Sequence, residues 1–139
     1  MDSYTNLTSV LVAGICTILS WFFGNFDGAI QILLACVIVD YITGIAAAIV
    51  QEKFETRICC KGIGRKVIMF ALVGVTQITG RELFGNAALL RNTVIYFYVA
   101  SEGLSIIRNA DKAGVPVPKI LEPVFTNLMN GIITEMTVH

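Results

Sequence analysis

The chain has 139 residues, of which 55% are hydrophobic and 14% charged, with a mean hydropathy of +0.75. A soluble domain carries roughly 25% charged residues because its surface must face water, so this composition excludes an ordinary soluble domain. Ten Lys/Arg balance ten Asp/Glu, and a net charge of zero leaves no global field to gather nucleic acid.

The first apolar stretch, about 7–23, has no charged residue and ends in Trp21, Phe22 and Phe23. At about 1.5 Å per residue it nearly crosses a hydrocarbon core of roughly 30 Å, with Trp21 in the interfacial belt. Asp2 precedes it with no Lys or Arg, and no small-x-small site follows, so a retained membrane helix is expected rather than a cleaved signal. Residues 24–28 read as a tight polar turn.

The second stretch, 29–50, is the clearest span: 22 residues with one ionisable group, Asp40. A basic loop, 51–66, is expected next. It holds five of the ten Lys/Arg: Lys53, Arg57, Lys61, Arg65 and Lys66. The third stretch, 67–80, is short, and Arg81 and Glu82 interrupt it before apolarity resumes over 83–90. A tilted span with Arg81 snorkelling and a longer helix with a buried ion pair both fit. The fourth, 93–107, contains Glu102 and the aromatic run Tyr96, Phe97 and Tyr98.

After 113 the texture changes. Gly114, Val115, Pro116, Val117 and Pro118 form a stiff linker, because two prolines fix φ and discourage helix. Apolar pairs then recur every four residues, placing Leu121, Phe125, Leu128 and Ile132 on one face of an amphipathic helix. Pro123 is tolerable if it falls in the first turn. Such a helix can pack on its own protein, lie in the membrane interface or pair with a neighbouring subunit. The expected architecture is all-α: a polytopic domain over 1–113 with three to four transmembrane helices, then a linker and amphipathic helix over 114–139.

Charge sets the expected orientation. With the 51–66 segment in the cytoplasm and four spans, both termini are cytoplasmic. Eight of the ten Lys/Arg then lie inside, and Arg81 and Arg91 lie outside.

No catalytic motif is present: there is no GxSxG, HExxH or phosphate-binding glycine loop, and His139 is the sole histidine. An enzyme is not expected, nor a cofactor. Cys16, Cys36, Cys59 and Cys60 lack the further ligands that a zinc site needs, so no metal is expected.

The intramembrane carboxylates are the informative residues. A charge at mid-bilayer costs roughly 2.5–3.5 kcal/mol on insertion scales, so neither Asp40 nor Glu102 should face lipid. Cys36, Asp40, Gly44 and Ala48 recur at i+4 as a stripe of small and polar residues. Small residues let helices approach closely, and Asp40 can bond across such a contact. Tyr98, Glu102, Ser105 and Asn109 share a face on the fourth span, as Gly74, Gln77 and Arg81 do on the third. These polar seams can close a monomer or join subunits around a pore.

Four blocks occur in order: Asp40 to Gly44 in a span, Lys61 to Lys66 ending the basic segment, Ser101 to Asn109, and Gly114 to Pro118. In this combination, covering most of the chain from Asp27 onward, the sequence resembles the holin family of clostridial and related Gram-positive phages, which includes holin-like proteins encoded beside large clostridial toxins. The resemblance implies a protein that oligomerises with itself in the cytoplasmic membrane and opens lesions. It also implies functional coupling to an endolysin or a large toxin, with lysis or protein export as the outcome. Competing readings are a small ion channel or transporter subunit and a regulatory membrane subunit without a pore.

Overall fold

A computed structural model describes residues 2–53 and 56–138, and side chains over 4–53, 62–135 and 137–138. Its five helices are α1 (Asp2–Phe23), α2 (Gly28–Val50), α3 (Thr56–Phe84), α4 (Ala87–Lys112) and α5 (Leu121–Val138). Among the described residues there is no strand. Three helical segments among the described residues are long and apolar enough to cross a membrane: Tyr4–Phe23, Gly28–Val50 and Gly62–Phe84.

Local chemistry sets the helix ends. Asp27 caps α2, its carboxylate accepting from the Ile30 amide at 3.2 Å. At the other end the Lys53 amide donates to Ala48 O and the Glu52 amide to Ile49 O. This is a Schellman turn with Glu52 in the left-handed conformation, at φ 54°. The α4 end repeats the motif with Gly114 in that position, the Val115 amide donating to Ala110 O. Pro123 does fall in the first turn of α5, where its missing amide has no helical partner to lose.

Two boundaries differ from the sequence reading. The basic segment is not a loop throughout: helix begins at Thr56 and runs unbroken to Phe84, so Arg65 and Lys66 stand on α3. The Arg81–Glu82 pair neither ends the helix nor becomes buried. It is an exposed pair at 2.8 Å, and the Arg81 guanidinium lies 5.5 Å from the Trp21 ring centroid. The fourth stretch, 93–107, lies inside α4 but is not one of the three segments apolar enough to span by composition.

That difference has a packing cause. α4 is the hub of the bundle, in contact with α2, α3 and α5. It runs parallel to α2, with Arg91 against Asp27 at one end and Asn109 against Asp40 towards the other. Arg91, Glu102 and Asn109 therefore turn towards neighbouring parts of the bundle, and the chain can place charge there without facing lipid. Leu33, Val73 and Ile95 are fully buried where α2, α3 and α4 meet, with Ala29, Ile30 and Met69 beside them. Between helices in lipid the hydrophobic drive is absent, so this core holds by close van der Waals contact.

Only the last turn of α1 is packed. Phe22 lies so close over Gly74 that a Cβ there would overlap its ring, and the Phe23 ring stands edge-on to Phe70 at 6.1 Å. Gly24 turns the chain with φ 78°, where a side chain would also strike the Gln77 amide. Residues 4–20 are exposed. α5 folds back on α4, the Phe125 ring occupying the space that a side chain at Gly103 would need.

Arg91 pins the α1–α2 turn to the start of α4. It is 2% exposed; Nη1 donates to Asp27 Oδ2 at 2.7 Å and Nη2 to Asn25 O at 2.9 Å. The hydrogen bonding of Arg91 to its carboxylate holds Asp27 below its ordinary value of 3.8. A carboxylate with a lowered pKa contributes stability above its unfolded value and loses it as the pH falls through the folded one. Arg91→Met should therefore cost about 1.5 kcal/mol, the low end for a charged hydrogen bond because Asp27 is partly exposed. Thermal unfolding in detergent between pH 7 and 3 checks this. Wild type should weaken below pH 3.8, and the variant should start lower and lose less over that interval. Equal acid slopes would remove the pair from the account.

Candidate functional site

Three helices bring ionisable side chains to one place. Asp40 comes from α2, Lys66 from α3 and Glu102 from α4. Lys66 Nζ lies 2.8 Å from Asp40 Oδ2 and also donates to Glu102 Oε2. Asn109, two turns after Glu102 on α4, donates through Nδ2 to Asp40 Oδ1 at 3.1 Å, with Thr43 Oγ1 at 3.4 Å. The three charged side chains are 13–15% exposed. One ammonium thus serves two carboxyl groups, so acidic side chains outnumber basic ones in the cluster by one.

The geometry follows from helical spacing. Asp40, Thr43 and Gly44 share one face of α2, while Glu102 and Asn109 share one face of α4. Gly44 leaves space beside the Asn109 amide, where a Cβ would make ordinary contact at 3.5 Å. Next to the cluster is a cavity of about 340 Å³ whose lining includes Asp40, Gly44, Ala48, Lys53, Lys66 and Lys112.

The other candidate residues separate into several places. Gln77 sits at the α1–α2 turn beside Gly24, at the opposite end of α3 from the charge cluster. Tyr98 packs against the apolar core, its ring 5.5 Å from Phe97. Ser105 is half-buried on α4. Lys53 and Arg65 are exposed, whereas the side chains of Arg57 and Lys61 fall outside the described residues. On α5, Phe125 and Ile132 are half-buried, while Leu121 and Leu128 are exposed. Lys66 was missed as a member of the site because it immediately precedes an apolar run and so reads as the end of a loop. Its usable signal was the need of two intramembrane carboxylates for a cation. Among the described residues no group of His, Cys, Asp and Glu could hold a metal ion.

The sequence pattern of the bacteriophage holin family matches residues 17–130, which takes in the charge cluster, all of α2 and α4, and half of α5. The chain belongs to the bacteriophage holin family. Its relatives carry the likeness over most of their length. An uncharacterized protein of Clostridium perfringens is 32% identical over 114 residues, covering 82% of this chain and 84% of the relative. The uncharacterized 14.9 kDa protein in the nagH 3' region of the same species is 28% identical over 130 residues, covering 94% and 98%. An uncharacterized protein of Halalkalibacterium halodurans is 35% identical over 107 residues, covering 74% and 79%. No solved structure matches the chain. Within this holin-family chain, α1 lies mostly ahead of or at the start of the matched region, and the polar cluster lies in the middle of it.

Proposed function

We propose that this protein acts as a holin: copies associate in the cytoplasmic membrane and open lesions that let a cell-wall hydrolase or a toxin leave the cytosol. The observation that carries the reading is the family match over 17–130. The charge cluster supplies a compatible mechanism. Its polar groups are costly against lipid, so they stay satisfied within one bundle or across a contact between copies. A bundle that opened between α2 and α3 would turn Asp40, Lys66 and Glu102 towards water, where a lesion needs a polar lining.

Induced expression in a bacterium tests the function, with and without a co-expressed peptidoglycan hydrolase. The protein alone should stop growth and release a cytosolic marker enzyme, and turbidity should collapse only when the hydrolase is present. Selective ion flux with full viability would instead identify a channel, and absence of any release would overturn the proposal.

The orientation we propose puts the 51–66 segment and the 113–120 connection on the cytoplasmic side, because the first holds five Lys/Arg, the second holds Lys119, and Lys112 directly precedes it. Glu52 is exposed at the end of α2. Glu52→Cys, in a chain with its four native cysteines replaced by alanine, should resist a membrane-impermeant thiol reagent in intact cells and react after lysis. Labelling in intact cells would reverse the orientation.

A further inference from the structure

α2 and α3 both pack along α4 but touch each other only slightly, so a cleft stays open between them. Its volume is about 690 Å³, and its walls include Val37, Ile38, Ile42, Ile63, Val67 and Phe70. Phe22 and Phe23, from the packed end of α1, also line it. The volume is within the roughly 300–1,000 Å³ of small-molecule sites, but the walls are almost wholly apolar. Tyr41 and Lys66 line this cleft and also the 340 Å³ cavity beside the charge cluster, so the two spaces adjoin.

The adjoining cavity has the opposite chemistry. Lys53, Lys66 and Lys112 line it against one carboxylate, Asp40, and Gln51 and Asn109 add amide groups. Lys66 is committed to Asp40 and Glu102. Lys53 and Lys112 are exposed, and among the described residues neither has an ion-pair partner. Both are held by the Schellman ends of parallel helices, Lys53 just past α2 and Lys112 closing α4. Helix C-termini disfavour an anion, and these two cations offset that field.

We propose that the two spaces form one binding site for an anionic phospholipid. An acyl chain lies in the α2–α3 cleft and the phosphate sits at Lys53 and Lys112. The cleft lies between two helices apolar enough to cross a membrane, where lipid chains are the abundant apolar partner. Basic pockets beside membrane helices are where anionic head groups are held. A free phosphate would use the lysines and leave the cleft unexplained. The site does not depend on lesion formation, so it stands or falls separately from the proposed function.

Native mass spectrometry of the full chain in detergent reads this directly, with phosphatidylglycerol and phosphatidylcholine of identical acyl chains as probes. Two lysines near a head group give an expected preference for phosphatidylglycerol of about thirtyfold. Lys53→Gln with Lys112→Gln should abolish the preference while retaining both lipids at the phosphatidylcholine level. Ala71→Trp, an exposed position in the cleft, should reduce retention of both. Excess glycerol 3-phosphate should leave the lipid bound. The proposal is overturned by equal retention of the two lipids in wild type, or by a preference that survives the double lysine change, which would assign it to other basic residues. Unaltered retention in Ala71→Trp, or full displacement by glycerol 3-phosphate, would overturn it too.

Discussion

Lys66→Met should destabilise the folded bundle by on the order of 3–5 kcal/mol, the usual loss when one partner of a buried ion pair is removed. The residue neutralises two carboxylates at once, and all three side chains are 13–15% exposed. Without the ammonium, Asp40 and Glu102 would stand close together inside the bundle with no cation between them. Differential scanning in detergent should register a large fall in the unfolding midpoint, and membrane accumulation in cells should fall with it. Lys66→Arg keeps the charge and should lose much less. The triple change Lys66→Met, Asp40→Asn and Glu102→Gln removes all three charges while keeping polar groups, and should recover most of the loss. Asp40→Asn alone retains an acceptor for Asn109 and should be milder than Asp40→Leu, which leaves that amide only the longer contacts to Thr43 Oγ1 and the residue 40 carbonyl, both 3.4 Å. If Lys66→Met matched wild type, the cluster would not be holding the three helices together.

The same residue shows where sequence reasoning stops. The spans in α1 and α2 are legible because crossing lipid demands about twenty apolar residues in a row, a constraint written in one dimension. The tail helix is legible for a similar reason, since its apolar pairs repeat with the helical period. Asp40 and Glu102 stand out because lipid excludes charge. Their shared partner does not. Lys66 lies 26 positions from Asp40 and 36 from Glu102, and nothing local distinguishes it from the basic residues before it. Arg91 and Asp27, 64 positions apart, were hidden in the same way. The apolar residues of α4 predict a span, yet its charges keep it below the others by composition. Its central position resolves the conflict, because α2, α3 and α5 contact it and its Arg91, Glu102 and Asn109 side chains meet protein.

The second large effect is expected at the tail. Phe125 fills the notch at Gly103 on α4, whereas Leu128, one turn later on the same apolar stripe, is 46% exposed. One residue therefore attaches the helix to its own bundle, and the other leaves nearly half of its surface open beside that contact. Phe125→Asp should release α5 from α4, because an aspartate there would lose the ring contact and be desolvated against the Gly103 backbone. Leu128→Asp should disturb the attachment much less, because a charge at this exposed position stays in contact with its surroundings and leaves the Phe125 ring in place. Since α1, α2 and α3 are untouched, both variants should still insert. Phe125→Asp should shift the onset of lysis and change the amount of protein needed, and it should raise proteolysis within 114–138 in membrane vesicles. Gly103→Leu should reproduce that shift from the opposite side of the contact, since its side chain competes for the space the Phe125 ring occupies. Agreement between Phe125→Asp and Gly103→Leu, with Leu128→Asp differing from both, would assign the timing to docking of α5 on α4. Wild-type timing in all three at equal membrane abundance would make the tail passive, and loss of accumulation in both docking variants would make α5 part of the core needed to fold.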